Sequence, residues 1–267
     1  MKKLRPVPLF TIEGTSFLVD IEKQVLRQTN DHANEISFIN DMQDHGAFYR
    51  LLYDPDELRA AKDLFDQNRV KVIDVPQMTD LDREGMAARY GLPPELVMGK
   101  SDFELIVDQE ALDLRLKGAL PRIDIAGEGF IIDLRLQELR HAKNFHPVIS
   151  LKSFGLSGDG SKYEAFYHPL LKQVVKIDPK LTEFPGSVVR IQIPNGTGLD
   201  PVAAARQYGM EERELLRRYP IQKELKAAVI PLSETHIPAL IRRNREQLRR
   251  EHQEIVRQMK PKNRPRF

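Results

Sequence analysis

The stretch that decides the fold is IEGTSFLVDIEKQVLR, residues 12–27, because a second version of it stands further along the chain. The second version, IAGEGFIIDLRLQELR, occupies residues 125–140 and is identical at seven of sixteen positions. Unrelated segments of average composition would share about one. A later pair of blocks, at 76–92 and 194–210, shares seven of seventeen positions in the same order. We interpret the chain as a tandem duplication with copies at 1–118 and 119–235, followed by a C-terminal segment at 236–267.

Each copy opens with a pattern that is typical of a β-hairpin. In the first copy Phe17, Val19 and Ile21 alternate with more polar residues, and the second copy keeps the same phase. Such alternation predicts strands with one buried face. Gly14 and Gly127 stand between the alternating runs, where a turn with positive φ is easily formed.

Further strands and a helix are predicted in the same order in both copies. The strands are expected at 34–39 and 47–53, at 147–152 and 162–168, and in VKVIDVP and VVRIQIP. A helix follows, with Asp82 or Asp200 at its N-cap and Gly91 or Gly209 just after its end. The predicted fold class is therefore α+β: a duplicated small unit of antiparallel strands with a hairpin and then one or two short helices, followed by a basic C-terminal helix.

Composition limits the function classes. Apolar residues make up 41% of the chain and charged residues 30%, which is a globular composition. The absence of cysteine excludes disulfides, thiol nucleophiles and thiolate metal sites, and it suits a reducing compartment. The sequence shows no signal-peptide run and no apolar segment of membrane-spanning length. We expect a cytoplasmic protein without a membrane segment, and no motif indicates a cofactor.

The loop GLSGDGSKY, residues 155–163, has the glycine spacing of a phosphate-binding loop. That motif requires Lys followed by Ser or Thr after its last glycine, and it must open a helix. Here the order is Ser161 and then Lys162, and an alternating strand pattern follows. The sequence therefore predicts a hairpin loop.

Two aspartates, Asp20 and Asp133, are the candidate catalytic residues, because they occupy the same place in the two copies. If the copies face each other, the pair could act as acid and base or hold a metal ion. Alternatively, each aspartate holds a backbone amide or pairs with a neighbouring base such as Arg27 or Arg140. The histidines, including His141 and His146 in HAKNFH, have no metal-binding spacing and are interpreted as surface residues.

The segments MAARYGLPPELV (86–97) and AARQYGMEERELL (204–216) predict helix, glycine turn and helix. A DNA-binding helix-turn-helix is one interpretation, since a small residue precedes the turn at Ala87 and Ala205. A helical hairpin that covers the sheet is the other.

The C-terminal segment is strongly basic. Residues 237–267 contain ten Lys or Arg and three Glu, so they carry +7, and the rest of the chain carries 2 − 7 = −5. A helix is predicted from about Pro238 to before Pro261, with a disordered end. Ile241, Leu248 and Ile255 form a narrow apolar stripe on it. The candidate nucleic-acid-binding residues are Arg242, Arg243, Arg245, Arg249, Arg250, Arg257, Lys260, Lys262, Arg264 and Arg266.

Arginine in this number favours contacts with phosphate or carboxylate. The leading hypothesis is a non-enzymatic binding protein whose C-terminal helix contacts the DNA or RNA backbone or an acidic protein surface. One alternative is a metal-dependent hydrolase or nuclease with carboxylates at the junction of the copies. Another is a structural subunit that forms oligomers through the C-terminal helix. In the simplest alternative, the arginines are solvated or pair with acidic residues of the protein itself.

Overall fold

The computed structural model describes residues 5–61 and 69–259. Within them the chain forms two compact units. The first reaches Leu112 and also includes Leu216–Pro220 from later in the chain; the second contains the remaining described residues. Strands and helices are both abundant, and the sheets are built almost entirely from antiparallel pairs, so the α+β class is confirmed.

The first unit contains two antiparallel sheets and then a series of short helices. In the first sheet, neighbouring strands in sequence are neighbours in space: β1 (Leu9–Ile12), β2 (Thr15–Asp20), β3 (Val25–Gln28) and β4 (Glu35–Ser37). In the second sheet the central strand pairs with all three others: β5 (Met42–Asp44), β6 (Phe48–Asp54, central), β7 (Arg59–Ala60) and β8 (Lys71–Pro76). The helices are α1 (Met78–Leu81), α2 (Arg83–Tyr90), α3 (Pro94–Val97), α4 (Asp102–Ile106) and α5 (Gln109–Leu116), and the last four residues of α5 belong to the second unit.

The second unit repeats this order. Its first sheet contains β9 (Arg122–Ile125), β10 (Glu128–Asp133), β11 (Glu138–His141) and β12 (Val148–Ser150). Its second sheet contains β13 (Gly155–Leu156), β14 (Lys162–His168, central), β15 (Gln173–Val175) and β16 (Val189–Pro194). The helices α6 (Gly196–Leu199) and α7 (Pro201–Gln207) follow, then β17 (Leu225–Lys226), β18 (Ala228–Pro231) and α8 (Ile237–Met259).

The two units agree in the registers of their strand pairs as well as in their strand order. Phe10 lies opposite Phe17 in the first unit, and Ile123 lies opposite Phe130 at the corresponding place in the second. The central strands agree in the same way, since Phe48 faces Pro76 and Lys162 faces Pro194. In both units the inward side chains of the two sheets form the apolar core. The two units therefore share one architecture, whereas duplication as an event of descent stays a prediction.

The predicted turns and caps are confirmed. The first hairpin of each unit turns at Gly14 and Gly127, which have φ of 82° and 90°. The Asp82 carboxylate accepts a hydrogen bond from Gly85 N at 2.9 Å, and that of Asp200 accepts one from Ala203 N at 3.0 Å. Because a side-chain acceptor satisfies an amide that has no partner within the helix, each aspartate fixes the start of its helix.

The loop at 155–163 is a hairpin loop, as predicted: Leu156 pairs with Tyr163 across it. Its aspartate, Asp159, accepts hydrogen bonds from both hydroxyls of Ser157 and Ser161, and these bonds lower the pKa of Asp159 to about 2. The carboxylate thus closes the loop internally.

One prediction about the helices is wrong. A helix was expected after Gly209, but residues 212–218 form turns. Leu216 is fully buried, and the Arg217 guanidinium lies 4.4 Å from the centre of the Tyr49 ring in the first unit. Tertiary contacts of these two residues outweigh the helix propensity of the segment. In the first unit the corresponding helix α3 has four residues, about 6 Å of helix, which is too short for a DNA-reading helix.

Candidate nucleic-acid interface

The basic helix α8 is anchored to the second unit through residues 237–245. Ile237 is fully buried, and it packs with Ile241 and Leu232 against Phe166 and other apolar residues. Asn244 donates to the carbonyls of Pro179 and Leu181 at 2.8 and 2.9 Å, and Arg245 Nε donates to the carbonyl of Thr182 at 2.5 Å. The helix therefore has a fixed base, which ends at Arg245.

Beyond Arg245 the helix is exposed on all sides. Every residue from 246 to 257 is exposed, including Leu248 at 54%. These twelve residues correspond to about 18 Å of helix. We call residues 246–257 the projecting half of α8. Of the predicted apolar stripe, only Ile241 packs against the unit, whereas Leu248 and Ile255 lie on the projecting half.

The arginines of α8 are available for a partner. Among the described residues, no ion pair involves the following five, all of them exposed: Arg242, Arg243, Arg249, Arg250 and Arg257. Arg245 is also exposed, but its guanidinium bonds a backbone carbonyl. The alternative in which these arginines pair with acidic residues of the protein is therefore absent from this part of the molecule. The other four candidates, Lys260, Lys262, Arg264 and Arg266, lie outside the described residues, as does the predicted disordered end.

The candidate catalytic aspartates hold hairpin turns. Asp20 accepts a hydrogen bond from Lys23 N at 3.0 Å and forms an ion pair with Arg27 at 2.5 Å. Asp133 accepts from Leu136 N at 3.0 Å and pairs with Arg140 at 2.7 Å. These contacts are the ones that the alternative interpretation named.

The same turn occurs again in the second sheet of each unit. Asp54 closes the four-residue loop between β6 and β7 by accepting from Glu57 N, and His168 Nδ1 accepts from Leu171 N between β14 and β15. The last residue of each of the four loops has positive φ: Gln24, Leu58, Gln137 and Lys172. At each of the four turns, a side chain accepts a hydrogen bond from the backbone amide three residues further along the chain. Because this contact recurs at equivalent positions, the geometry of the turn accounts for the side chain there. Nowhere in the described ranges do three metal-binding side chains come together.

A second polar cluster lies in the core of the first unit. The Asp102 carboxylate is fully buried and accepts hydrogen bonds from the Tyr49 hydroxyl at 2.6 Å and from the amides of Met78 and Thr79 at 2.8 Å each. Burial raises the pKa of Asp102 and of Tyr49. The carboxylate caps the start of α1, and all three of these hydrogen bonds come from the protein itself. We interpret this cluster, which sequence reasoning missed, as structural.

The surface interpretation of the histidines is wrong for His141. Its ring is only 3% exposed, packs edge-on against Phe130, and places Nε2 at 3.0 Å from the Glu128 carboxylate. Glu128 also pairs with Lys172 at 3.0 Å, and the hydrogen bonds from His141 and Lys172 lower the pKa of Glu128 to about 2. HAKNFH resembles a loop, but pairing of β10 with β11 places its first residue on the inner face of the sheet. Strand alternation through Leu139 was the signal that could have indicated this position.

Comparison with known proteins gives no identification: no protein-family model, no curated protein and no solved structure matches this chain. Within the described residues, none of the helices combines the length and the apolar character required to cross a membrane.

Proposed function

We propose that this protein binds DNA or RNA through the phosphate backbone, using the arginines of α8. The observation that carries the proposal is the combination of a firmly anchored helix base with a projecting half whose arginines are exposed and unpaired. A fixed base presents the charges of the projecting half to solvent. Arginine suits this role because its guanidinium presents several donors that match phosphate oxygens.

The expected binding is independent of base sequence. Duplex DNA carries one negative charge per about 1.7 Å of its axis, so a helix segment of about 18 Å lies within reach of several phosphates. Apart from α8, the described α-helices have at most eight residues, too short for a base-reading arrangement. Affinity should therefore come from released counterions and fall steeply with salt.

The structure determines where α8 can be truncated. Removing residues 237–267 would also remove Ile237 and Ile241 and so damage the second unit. A chain that ends at Arg245 keeps the anchored base. Residues 246–267 contain seven Lys or Arg and three Glu, a net +4, so this truncation changes the net charge from +2 to 2 − 4 = −2.

Binding to a labelled duplex of random sequence, and to single-stranded RNA, should be measured by fluorescence anisotropy at several salt concentrations. For about five phosphate contacts the slope of log K against log salt should be about −4 to −5. The variant R242Q/R243Q/R249Q/R250Q should flatten that slope by about 2 to 4, and the chain ending at Arg245 should bind weakly or not at all.

A matched control removes four positive charges from elsewhere on the second unit. The residues chosen are exposed and make no ion pair among the described residues: Arg122, Arg135, Lys143 and Lys162. The R122Q/R135Q/K143Q/K162Q variant has the same net charge as the R242Q/R243Q/R249Q/R250Q variant. It should retain most of the slope. If both quadruple variants lose binding equally, only net charge matters and α8 is not the interface. If neither the intact chain nor its variants bind nucleic acid, the proposal is wrong.

An assembly role through α8 is the second candidate, favoured by the exposed stripe of Leu248 and Ile255. A two-stranded coiled coil would place residues 241, 248 and 255 at one core position of the heptad, and 244, 251 and 258 at the other. The second set reads Asn, Glu and Gln, which opposes self-pairing because Glu251 would face its own copy. Light scattering, which measures the molar mass, tests this second candidate. A dimer that the L248E/I255E variant converts to a monomer would support assembly.

A further inference from the structure

In the second unit, one short segment adds a strand to both sheets. Residues 225 and 226 run parallel to β9, and Ala227 N donates to the Asp124 carbonyl at 2.8 Å. The chain then continues antiparallel to β16, with Val229 opposite Ile191 and Ile230 opposite Arg190. The seven residues 225–231, LKAAVIP, thus occupy the outer edges of β9 and β16. We call them the edge segment.

Among the described residues of the first unit, the same two edges carry no such segment. Judged by register, β1 corresponds to β9, and β8 corresponds to β16. Over the described ranges, β1 pairs with β2 alone and β8 with β6 alone. Leu9 on β1 and Val72 on β8 are each 60% exposed, and Phe10 is partly exposed where the corresponding Ile123 is buried.

The unpaired edge of β1 has its backbone groups facing outward. Val19 N donates to the Pro8 carbonyl at 2.9 Å, so the backbone amides and carbonyls of the even-numbered residues in this stretch point toward β2. Since alternate residues point in opposite directions, the amides and carbonyls of Leu9 and Thr11 point away from β2. Thr11 stands at the position of Asp124, whose carbonyl receives the Ala227 amide in the second unit. Within the described residues, the groups of β1 that correspond to those holding the edge segment are therefore present and make no backbone hydrogen bond to another strand.

We infer that the first unit is a strand-acceptor site, in which an extended segment of a partner protein lies along β1 and β8 as the edge segment lies along β9 and β16. The chain's own edge segment is already engaged in the second unit, and we therefore assign the occupant to another protein. Exposed strand edges are natural sites for such addition.

The edge segment also indicates the chemistry of the occupant. Leu225 and Ala227 are buried at alternate positions, whereas Lys226, Ala228 and Val229 between and after them are exposed. An occupant therefore needs an apolar residue and, two positions later, a small one. Its amides must be free to donate, so proline is acceptable only at its end, as Pro231 is here.

A peptide copied from the edge segment is the probe. The labelled peptide KELKAAVIPLS, residues 223–233, should bind the full-length chain saturably with one site, as measured by fluorescence anisotropy. N-methylation of the peptide at Ala227 removes the amide that would donate to Thr11 O and should weaken binding at least about tenfold. N-methylation at Lys226 is the matched control, because that amide points away from the acceptor strand. Both changes lie in the peptide, so folding of the protein is unaffected.

The position of the bound peptide is mapped with a benzophenone photo-crosslinker in place of Val229. Cross-links should fall on β8, at residues 71–74. Cross-links on β16 would mean that the peptide displaces the chain's own segment, and they would overturn the proposal. Three other results would also overturn it: absence of saturable binding, equal weakening by the two N-methyl groups, and a dimer of the chain that the peptide dissociates.

Discussion

Two arginine–aspartate pairs hold corresponding helix starts in the two units, but they differ in burial. Asp200 is fully buried, and Arg115, which contacts its carboxylate at 3.0 to 3.1 Å, is 7% exposed. Asp82 is also buried, yet its partner Arg5 is 35% exposed. Replacing each aspartate by alanine removes the same cap but leaves a different arginine behind.

The difference in exposure determines the magnitude. Loss of an N-cap costs about 0.5–2 kcal/mol. D82A should cost about that much, because Arg5 can turn to water and an exposed pair adds only about 0–1 kcal/mol. D200A should cost about 3–5 kcal/mol, since it leaves the Arg115 charge buried without a partner. We expect D200A to be more destabilising than D82A by about 2 kcal/mol.

Urea unfolding followed by far-ultraviolet circular dichroism measures both variants, and tryptophan fluorescence is not an option because the chain has no tryptophan. The double variant R115M/D200S removes the buried charge and restores a cap, so it should recover about 2 kcal/mol relative to D200A. Equal losses for D82A and D200A, or no recovery in the double variant, would refute the reasoning from burial.

Three further predictions follow from particular contacts. The chain ending at Arg245 should keep the melting temperature of the intact protein. The chain ending at residue 236 should melt at a lower temperature, because it loses Ile237 and Ile241 from an apolar cluster. Differential scanning fluorimetry compares the two chains, and equal melting temperatures would contradict the anchored base. D20A and D133A should each lower stability by about 0.5–1.5 kcal/mol through the lost turn hydrogen bond, with unchanged nucleic-acid binding; loss of that binding in either variant would return the aspartates to a functional role. The pKa of Glu128 is lowered from 4.5 to about 2, so its contribution to stability is complete above pH 4.5 and disappears as pH falls toward 2. The difference in unfolding free energy between the intact protein and E128Q should shrink over that range, and a difference that does not change with pH would contradict this reasoning.

Local features of the fold could be predicted from the sequence. The hairpin glycines, the strands with clear alternation and the two helix caps depend on residues close together in the chain, so their patterns are complete within a short window. Strand β3 was missed because both Val25 and Leu26 are buried, which breaks the alternation. Its counterpart β11 was missed with it, and so was the burial of His141 at the end of that strand.

The candidate site divides in the same way. The basic character of α8 and its bounds, Ile237–Met259, follow from composition and helix period. The length of α8 that is anchored depends on contacts with residues 179–182, about 60 positions earlier in the chain, which the sequence does not reveal.

By itself, the sequence determined the repeated order of strands and helices and the separation of a basic helix from a mildly acidic body, because charge and periodicity are properties of neighbouring residues. Only the tertiary structure decided that Asp20 and Asp133 hold turns, that the segment after Gly209 forms no helix, and that LKAAVIP fills the sheet edges of one unit but not those of the other. The last two outcomes depend on which distant backbone or side chain supplies the partner for a hydrogen bond or an apolar contact, and that choice is made only when the sheets assemble. The partners of Asp20 and Asp133 are local, and here the structure chose between two interpretations that the sequence left open.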